Sequence, residues 1–316
     1  MKILVTGSAG FIGFNFVNFL LKKKKYKIIG IDNLNNYYDP SIKKKRLAIL
    51  NKYKNFTFVK LDLKNKTKLD SIFKKNKIDK IIHLAAQAGV RNSIKNPKEY
   101  IENNINAFFN VLECVRQFNI DQFFYASSSS VYGESKIFPL KESLNINPKN
   151  LYGLTKKNNE EISEIYSKFY NLNICGLRFF TVFGELGRPD MFIMKYLNSI
   201  LNKKKFYLFN YGNHFRDFTY IEDVNKILYR LINKKVYKHI IFNICSNKPY
   251  KITKIIDQIN SELKIKNNKI IKIKLQKADV VKTHGSNKKI CKFIKFKKFT
   301  PMREAISKLV KWFVSK

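Results

Sequence analysis

The sequence is poor in the residues that build disulfides, metal sites and membrane spans. Its 316 residues include four cysteines and four histidines, all scattered and without a C-x-x-C pair, so we expect no disulfide framework and no metal. No stretch approaches the ~20 apolar residues of a membrane helix. The opening MKILVTG is too short for a signal peptide. We therefore expect a cytoplasmic protein without membrane insertion.

Acidic residues and arginine are also scarce. The chain has 23 Asp and Glu against 62 Lys and Arg, a net charge of +39, and only eight of the basic residues are arginine. A net positive charge of this size attracts the phosphate backbone of nucleic acids. The lysines, however, are spread along the chain, and together with abundant Asn and Ile they are typical of AT-rich coding sequence. We expect solvated lysine-rich faces and no specific nucleic-acid partner, with an acidic partner as the alternative.

Apolar runs of strand length alternate with amphipathic segments in the first half of the chain. Strands are predicted at 2–6, 27–31, 56–61, 80–85, 122–127 and 173–179, and helices near 11–25, 67–76, 98–118 and 151–170. This alternation predicts an α/β fold with a Rossmann-like, doubly wound parallel sheet and helices on both faces.

The regularity weakens after about residue 184. Strands are predicted at 207–211 and 240–244, and helices near 190–203, 220–233, 252–263 and 301–315. The segment 263–273 fits either a loop or a strand bounded by one, and Thr219 to Glu222 fits a capping box that opens a helix. We expect residues 1–184 to form the first domain, with some return of later segments to it. Residues 185–316 then form a smaller α/β lobe.

A glycine-rich turn, TGSAGFIG, lies between the first predicted strand and helix. Gly7, Gly10 and Gly13 follow a G-x-x-G-x-x-G spacing, in which small residues let the backbone approach a pyrophosphate at a helix N-terminus. Asp32 ends the second strand, where a carboxylate accepts both ribose hydroxyls and repels a 2′-phosphate. The pattern favours NAD over NADP. A tight turn with a surface aspartate is the structural alternative.

Two further segments follow predicted strands directly. Asp62-Leu63 comes after the third strand and HLAAQAG (83–89) after the fourth. Ligands of open α/β sheets bind at the carboxyl ends of the strands. Either segment is also compatible with a purely structural role.

Tyr152 and Lys156 are four residues apart on a predicted helix and therefore share a face. A tyrosine with a free pKa of about 10 needs a shift of ~3 units to act as a base near neutrality. One positive charge at ~4.5 Å supplies about 3–4 kcal/mol at an effective dielectric constant near 20. Lys156 and an oxidised nicotinamide would together suffice. The serine run YASSSSVYG (125–133) lies one element earlier.

These motifs together resemble the extended short-chain dehydrogenase/reductase family of NAD-dependent sugar-nucleotide epimerases and dehydratases. Four further stretches resemble its UDP-glucuronate 4-epimerases: IDNLNNYYD (31–39), AAQAGVRNS (85–93), LRFFTVFGELGRPDM (177–191) and YGNHFRDFTYIEDV (211–224). The resemblance implies conversion of UDP-glucuronate to UDP-galacturonate through a transient 4-keto intermediate, with residues 1–184 binding NAD and 185–316 binding the UDP-sugar.

The resemblance also assigns residues. The implied catalytic residues are Tyr152 as base, Lys156 and Ser128. The implied cofactor-binding residues are Gly7, Gly10, Phe11, Ile12, Gly13, Asp32, Asn33, Asp62, Leu63, Leu84, Ala85, Ala86, Gln87, Asn103, Tyr152, Lys156 and Phe180. The implied substrate-binding residues are Arg91, Ser128, Ser129, Ser130, Thr181, Arg188, Arg216 and Asp279.

The resemblance further implies a homodimer. Relatives dimerise through two helices per subunit, here near 98–118 and 151–170. Phe108, Phe109 and Leu112 fit either that interface or the core.

The serine run discriminates within the family. Dehydratases carry an Asp-Glu pair in the three places before V-Y-G, and decarboxylases a glutamate in the last of them, whereas this chain has Ser128 to Ser130. Without a carboxylate the resemblance favours epimerisation. A UDP-glucose or UDP-N-acetylglucosamine 4-epimerase, a dehydratase or decarboxylase, and a non-catalytic Rossmann module stay open as alternatives. One departure is Gln276 to Asp279, where relatives have Q-P-G-D.

Overall fold

The computed structural model describes residues 1–265 and 269–315. The strands are β1 Lys2–Thr6, β2 Lys27–Asp32, β3 Phe56–Lys60, β4 Lys80–His83, β5 Gln122–Ser128, β6 Ile174–Phe179, β7 Thr181–Phe183, β8 Phe206–Phe209, β9 Phe215–Tyr220, β10 His239–Ile244, β11 Pro249–Lys251 and β12 Ile270–Ile273. The helices are α1 Phe11–Leu21, α2 Pro40–Leu50, α3 Lys66–Lys75, α4 Asn92–Lys95, α5 Pro97–Ile101, α6 Ala107–Gln117, α7 Leu151–Tyr170, α8 Phe192–Leu201, α9 Ile221–Ile232, α10 Ile252–Leu263, α11 Lys288–Ile294 and α12 Met302–Val314.

Seven parallel strands form the main sheet, in the order β10-β6-β5-β4-β1-β2-β3. Alternate residues of a strand enter different cores, because successive side chains point to opposite faces. Ile3 and Val5 pack with α1, whereas Leu4 packs with Leu69 of α3 and Val111 of α6. The sheet is covered on both faces, and the predicted Rossmann-like doubly wound fold is confirmed.

The second half of the chain builds smaller sheets and also returns to the main one. A three-stranded sheet has the order β11-β9-β7, and β8 pairs in parallel with β12. Strand β10 joins the edge of the main sheet beside β6. The division at residues 184 and 185 stays a prediction.

Several local predictions differ from the structure. The segment 98–118 contains α5 and α6, joined by a π-helical turn at Glu102–Asn106, and neither α2 nor α11 was predicted. The capping box is wrong: Thr219 lies inside β9, and α9 begins after Tyr220 without a side-chain cap. Of the open segment 263–273, residues 270–273 form β12, and 266–268 lie outside the described residues.

The strand register brings the motif-bearing segments to one edge of the sheet. Thr6 pairs with His83, and Ser128 pairs with Phe179. The glycine turn, Asp32, the HLAAQAG segment and the serine run all follow or end these parallel strands at their carboxyl ends. Parallel strands end on the same side, so these segments lie together.

Candidate active site

The glycine turn has no room for side chains. Gly7 has φ +69°, and a Cβ on it would lie 2.7 Å from the Ala85 nitrogen. A Cβ on Gly13 would lie 2.1 Å from the Gly7 carbonyl oxygen. The turn therefore packs directly against α1 and the segment after β4. Helix α1 starts at Phe11, and its N-cap residue Gly10 supplies no side-chain cap. The N–H groups of its first turn can therefore bind an anion.

Asp32 is fixed beside this turn. Its two carboxylate oxygens accept hydrogen bonds from the backbone N–H groups of Ala9, at 3.1 Å, and Leu34, at 2.9 Å. The side chain is 8% exposed at the end of β2. A buried carboxylate in this place still has lone pairs for the hydroxyls of a ribose.

The cavity at the carboxyl edge of the sheet fits a dinucleotide. It is lined by the glycine turn, Asp32 and every other cofactor-binding residue implied by the sequence. The Gln87 amide nitrogen is buried at this cavity and has no hydrogen-bond partner among the described residues. The glycine cradle, the fixed carboxylate and this free donor together match the chemistry of NAD.

Helix α7 carries Tyr152 and Lys156 to the same cavity. The Asn150 side chain caps the helix by accepting from the Gly153 N–H at 2.9 Å. Lys156 is 1% exposed, and its ammonium donates to the Ala126 carbonyl at 2.8 Å. Burial lowers the pKa of Lys156 to about 8, although the Glu160 carboxylate raises it in part. The lysine is anchored at the end of β5, directly before the serine run.

The environment of Tyr152 differs from the expectation in one respect. Burial raises the pKa of the phenol above its ordinary value, while the Ser128 hydroxyl and the Arg188 guanidinium lower it in part. From the sequence we expected the positive charge of Lys156 to lower the pKa of Tyr152. In the structure the Arg188 guanidinium lowers it in part. A positive charge delivered with the cofactor would act in the same direction as Arg188.

The four serines have different partners. Ser127 donates a short hydrogen bond to Glu160 behind the cavity. The Ser128 oxygen accepts from the Ser130 N–H at 3.1 Å, so its own O–H is free to donate. Ser128, Ser129 and Ser130 all line the cavity. No carboxylate occupies these three places.

The predicted substrate-binding residues are only partly brought together. Thr181, Arg188, Arg216 and Asp279 line the cavity with the serines. Arg91 is not part of the cavity lining; it forms a two-point ion pair with Asp279, at 2.6 and 3.2 Å, and stacks on the Phe209 ring.

Arg216 is already engaged by the backbone. Its guanidinium donates to the carbonyls of Phe215, Val280 and Val281. Burial lowers the pKa of Arg216 to about 10, and the nearby Asp279 and Glu134 carboxylates oppose this.

The sequence reasoning missed part of the cavity wall. Asn35, Tyr37, Tyr38 and Lys43 line it from the loop after β2 and the start of α2. Asn35, Tyr37 and Tyr38 lie in the run IDNLNNYYD, of which only Asp32 and Asn33 had been assigned a role, and Lys43 lies beyond it.

The described residues contain neither a membrane-spanning helix nor a metal-ligating cluster. None of the helices in residues 1–265 and 269–315 is long and apolar enough to cross a membrane. The same residues contain no group of three or more His, Cys, Asp or Glu side chains placed to hold a metal ion.

Comparisons with known proteins agree with this geometry. A sequence profile of the NAD-dependent epimerase/dehydratase family matches residues 3–245. The UDP-glucuronate 4-epimerase of Thermodesulfobacterium geofontis is 38% identical over 98% of this chain and 95% of its own.

Two solved structures are also similar. The UDP-glucuronic acid 4-epimerase of Bacillus cereus, in complex with UDP-glucuronic acid and NAD, is 30% identical with a TM-score of 0.94, covering 100% of this chain and 99% of its own. A UDP-N-acetylglucosamine 4-epimerase from Methanobrevibacter ruminantium, in complex with UDP-N-acetylmuramic acid, is 29% identical with a TM-score of 0.88. The match covers 99% of this chain and 98% of the Methanobrevibacter chain. The predicted family is confirmed. This chain belongs to the NAD-dependent epimerase/dehydratase family.

Proposed function

We propose that this protein is a UDP-glucuronate 4-epimerase that uses NAD. The observation that carries the proposal is one cavity joining the dinucleotide cradle, Tyr152, a serine run without carboxylates, and a half-buried arginine, Arg188. The relatives from Thermodesulfobacterium geofontis and Bacillus cereus bear the same activity in their names. NAD is the cofactor of the family to which the chain belongs.

The protein's own groups supply proton transfer and orientation. When bound, the oxidised nicotinamide accepts a hydride from C4 of the sugar and later returns it to the opposite face. Tyr152 removes the proton of the 4-hydroxyl group as this happens and gives it back afterwards. Ser128, whose oxygen accepts from the Ser130 N–H, donates its own O–H to the same oxygen of the sugar. Lys156 is held by the Ala126 carbonyl and shares a face of α7 with Tyr152, and its charge is proposed to support the phenolate.

The serine run limits the chemistry that follows oxidation. Expulsion of a neighbouring hydroxyl needs an acid, and Ser128 to Ser130 provide none. The 4-keto sugar therefore keeps its hydroxyl groups, and it can rotate and take the hydride back on its opposite face. Thr181 and Arg188 are proposed to hold the C6 carboxylate, since a guanidinium pairs well with a carboxylate.

The substrate assignment predicts a specific product. Purified protein with NAD and UDP-glucuronate should form UDP-galacturonate, resolved by anion-exchange chromatography, with no released keto-sugar. UDP-glucose and UDP-N-acetylglucosamine should be converted about tenfold more slowly, because a neutral sugar lacks the carboxylate that Arg188 would bind, a loss of about 1.4 kcal/mol.

Other outcomes would change the assignment. Preferential turnover of UDP-N-acetylglucosamine would move this chain to the specificity of its Methanobrevibacter relative. A stable 4-keto-6-deoxy product would indicate a dehydratase, and stoichiometric CO2 a decarboxylase.

A homodimer is the second part of the proposal. Phe108 and Leu112 are fully buried core residues, so they do not form such an interface. Apolar side chains nevertheless remain exposed along the same two helices and their neighbour α5. These are Ile101, Phe109, Leu154, Ile165 and Phe169. Packing of these side chains against a second copy would remove them from water.

Replacing Phe169, which is 79% exposed on α7, should test this interface. Phe169→Asp places a charge in the proposed contact and should convert a dimer into a monomer, measured by size-exclusion chromatography with light scattering. The matched control is Leu201→Asp, at a 69% exposed leucine at the end of α8. A monomeric wild-type protein, or a Phe169→Asp protein that stays dimeric, would refute the proposed interface.

The division of labour between the two halves is also a proposal. Residues 1–184 would bind NAD and residues 185–316 the UDP-sugar, with β10 returning to the main sheet. A cytoplasmic location and the lack of a specific nucleic-acid partner stay predictions from the sequence. A gel-shift assay across a salt series tests the nucleic-acid prediction, because binding driven only by charge collapses as salt rises.

A further inference from the structure

Arg188 is held in one orientation by a neighbouring carboxylate. Its Nε and Nη2 atoms donate to the two oxygens of Asp190, at 3.0 and 2.6 Å. This two-point pairing fixes the plane of the guanidinium as well as its position. Nη1 is not used by the pair. The edge of the guanidinium that includes Nη1 is therefore the part that can meet a ligand in the cavity.

Asp190 is in turn held from the cofactor side of the cavity. The Tyr37 hydroxyl, in the loop after β2, donates to Asp190 at 3.2 Å, and the Arg188 guanidinium lies 5.6 Å from the centre of the Tyr37 ring. Burial raises the pKa of Tyr37 to about 12, so the phenol keeps its proton and remains a donor. The Tyr37 oxygen also packs so closely on Gly89 that a Cβ there would lie 2.2 Å from it.

A second link holds the backbone of the same turn. Arg46 of α2 is fully buried, and its Nη2 donates to the Leu186 carbonyl at 2.7 Å, two residues before Arg188. Its Nη1 donates to the Ala9 carbonyl of the glycine turn at 2.8 Å and to the Tyr38 hydroxyl at 2.7 Å. The turn that carries Arg188 is therefore tied directly to the turn that would hold the pyrophosphate.

We propose that Asp190 is a positioning residue for Arg188, supported by Tyr37 and Arg46, and that it decides how the C6 carboxylate of the sugar is held after oxidation at C4. This inference rests on the proposed function. The arginine is oriented before the substrate arrives, so no binding energy is needed to order it. The loop after β2, which carries Tyr37, thereby helps to orient Arg188, the residue proposed to bind the substrate's carboxylate.

The orientation matters because the oxidised sugar is a β-keto acid. Loss of CO2 would break the C5–C6 bond, leave its electron pair on C5 as an enolate of the 4-ketone, and be completed by a proton from water. The two electrons taken from C4 would remain on the cofactor. This path requires the C5–C6 bond to stand perpendicular to the plane of the carbonyl group. A guanidinium locked by Asp190 can hold the carboxylate away from that geometry, whereas a rotating one cannot.

Asp190→Asn tests this role, because it keeps the size of the side chain and removes its charge. Holoenzyme is incubated with UDP-glucuronate labelled in the carboxyl carbon, and released CO2 is measured against UDP-galacturonate. We expect the ratio of CO2 to epimer to rise about tenfold, the equivalent of 1.4 kcal/mol between the two barriers. Tyr37→Phe, which removes one hydrogen bond to Asp190, should raise the ratio less. Asp190→Glu, which restores the charge, should return it toward the wild-type value.

The control is Asp39→Asn in the same loop. Asp39 is exposed and caps α2 through the Ser41 N–H, and asparagine caps equally well. The ratio of CO2 to UDP-galacturonate formed by Asp39→Asn should match that of the wild type.

The outcomes separate this inference from the proposed function. If the wild type does not convert UDP-glucuronate, both fail. If the wild type converts UDP-glucuronate but folded Asp190→Asn shows the wild-type ratio of CO2 to epimer, the inference alone is overturned. If Asp190→Asn does not fold, a wild-type ratio in Tyr37→Phe overturns it.

Discussion

Tyr152→Phe is expected to lower the rate of UDP-galacturonate formation by about 100-fold to 10,000-fold, the usual contribution of a positioned acid–base group. The substitution removes only the phenolic oxygen. The ring keeps its place, including its edge-on contact with Tyr100 at 6.2 Å between centroids. Ser128 can still hydrogen-bond the 4-oxygen, but a serine hydroxyl cannot accept its proton near neutral pH. The loss should therefore appear in kcat, with little change in KM.

The matched control for this variant is Tyr166→Phe on the same helix. The Tyr166 hydroxyl donates to Glu113 at 2.9 Å on the side facing α6, and Tyr166 does not line the cavity. Its kcat should be close to that of the wild type. Both proteins are compared after their NAD content has been measured. A Tyr152→Phe protein with normal NAD content and more than about a tenth of wild-type kcat would mean that another group is the base.

The main features of the site could be predicted because they depend on spacing within one element. Gly7, Gly10 and Gly13 surround a single strand-to-helix turn, and Tyr152 and Lys156 share one helical face. In each case local backbone geometry fixes what the side chains can reach. The parallel sheet then brings the ends of its strands together, which placed Asp32 and the serine run in the same cavity.

The residues that the sequence did not reveal act through contacts between distant segments. Tyr37 meets Asp190 across 153 residues, and Arg46 meets Leu186 across 140. No periodicity links such positions. For the same reason the sequence did not reveal that Arg188 lowers the pKa of Tyr152 in part: the approach of the turn after β7 to α7 is a tertiary contact. The resemblance assigned Arg91 to substrate binding, and its pairing with Asp279 became visible only in three dimensions.

A buried ion pair behind the active site should account for the largest single loss of stability. Glu160 and Arg178 are each 3% exposed and form a two-point pair at 2.9 and 2.7 Å. Glu160 also accepts the hydrogen bond of Ser127. It lies four residues after Lys156, so Tyr152, Lys156 and Glu160 follow one face of α7. The pair ties this face to β5 and β6.

Glu160→Gln should therefore lower the free energy of unfolding by about 3–5 kcal/mol, because Arg178 is left as a buried charge without a counter-ion. Arginine is not deprotonated in proteins, so the guanidinium does not escape by losing its proton once Glu160 is replaced. The measurement is a denaturant or thermal unfolding curve at saturating NAD, which keeps the contribution of the ligand constant.

Glu113→Gln is the control, since Glu113 forms the same type of two-point pair with Arg116 at 3.0 and 2.8 Å on the protein surface. Its effect should be much smaller, because water solvates Arg116 once the carboxylate is gone. Equal losses in the two variants would show that burial does not decide the strength of the Glu160–Arg178 pair.

Removing both charges should restore most of the lost stability. In Glu160→Leu with Arg178→Met the two partners are replaced by apolar side chains, so no buried charge is left unpaired. If this double variant unfolds like the wild type but has a lower kcat, the pair contributes more to the placement of Tyr152 and Lys156 than to the stability of the fold. If it is as unstable as Glu160→Gln, the loss comes from the hydrogen bonds of Ser127 and Tyr132 to this pair rather than from an unpaired charge.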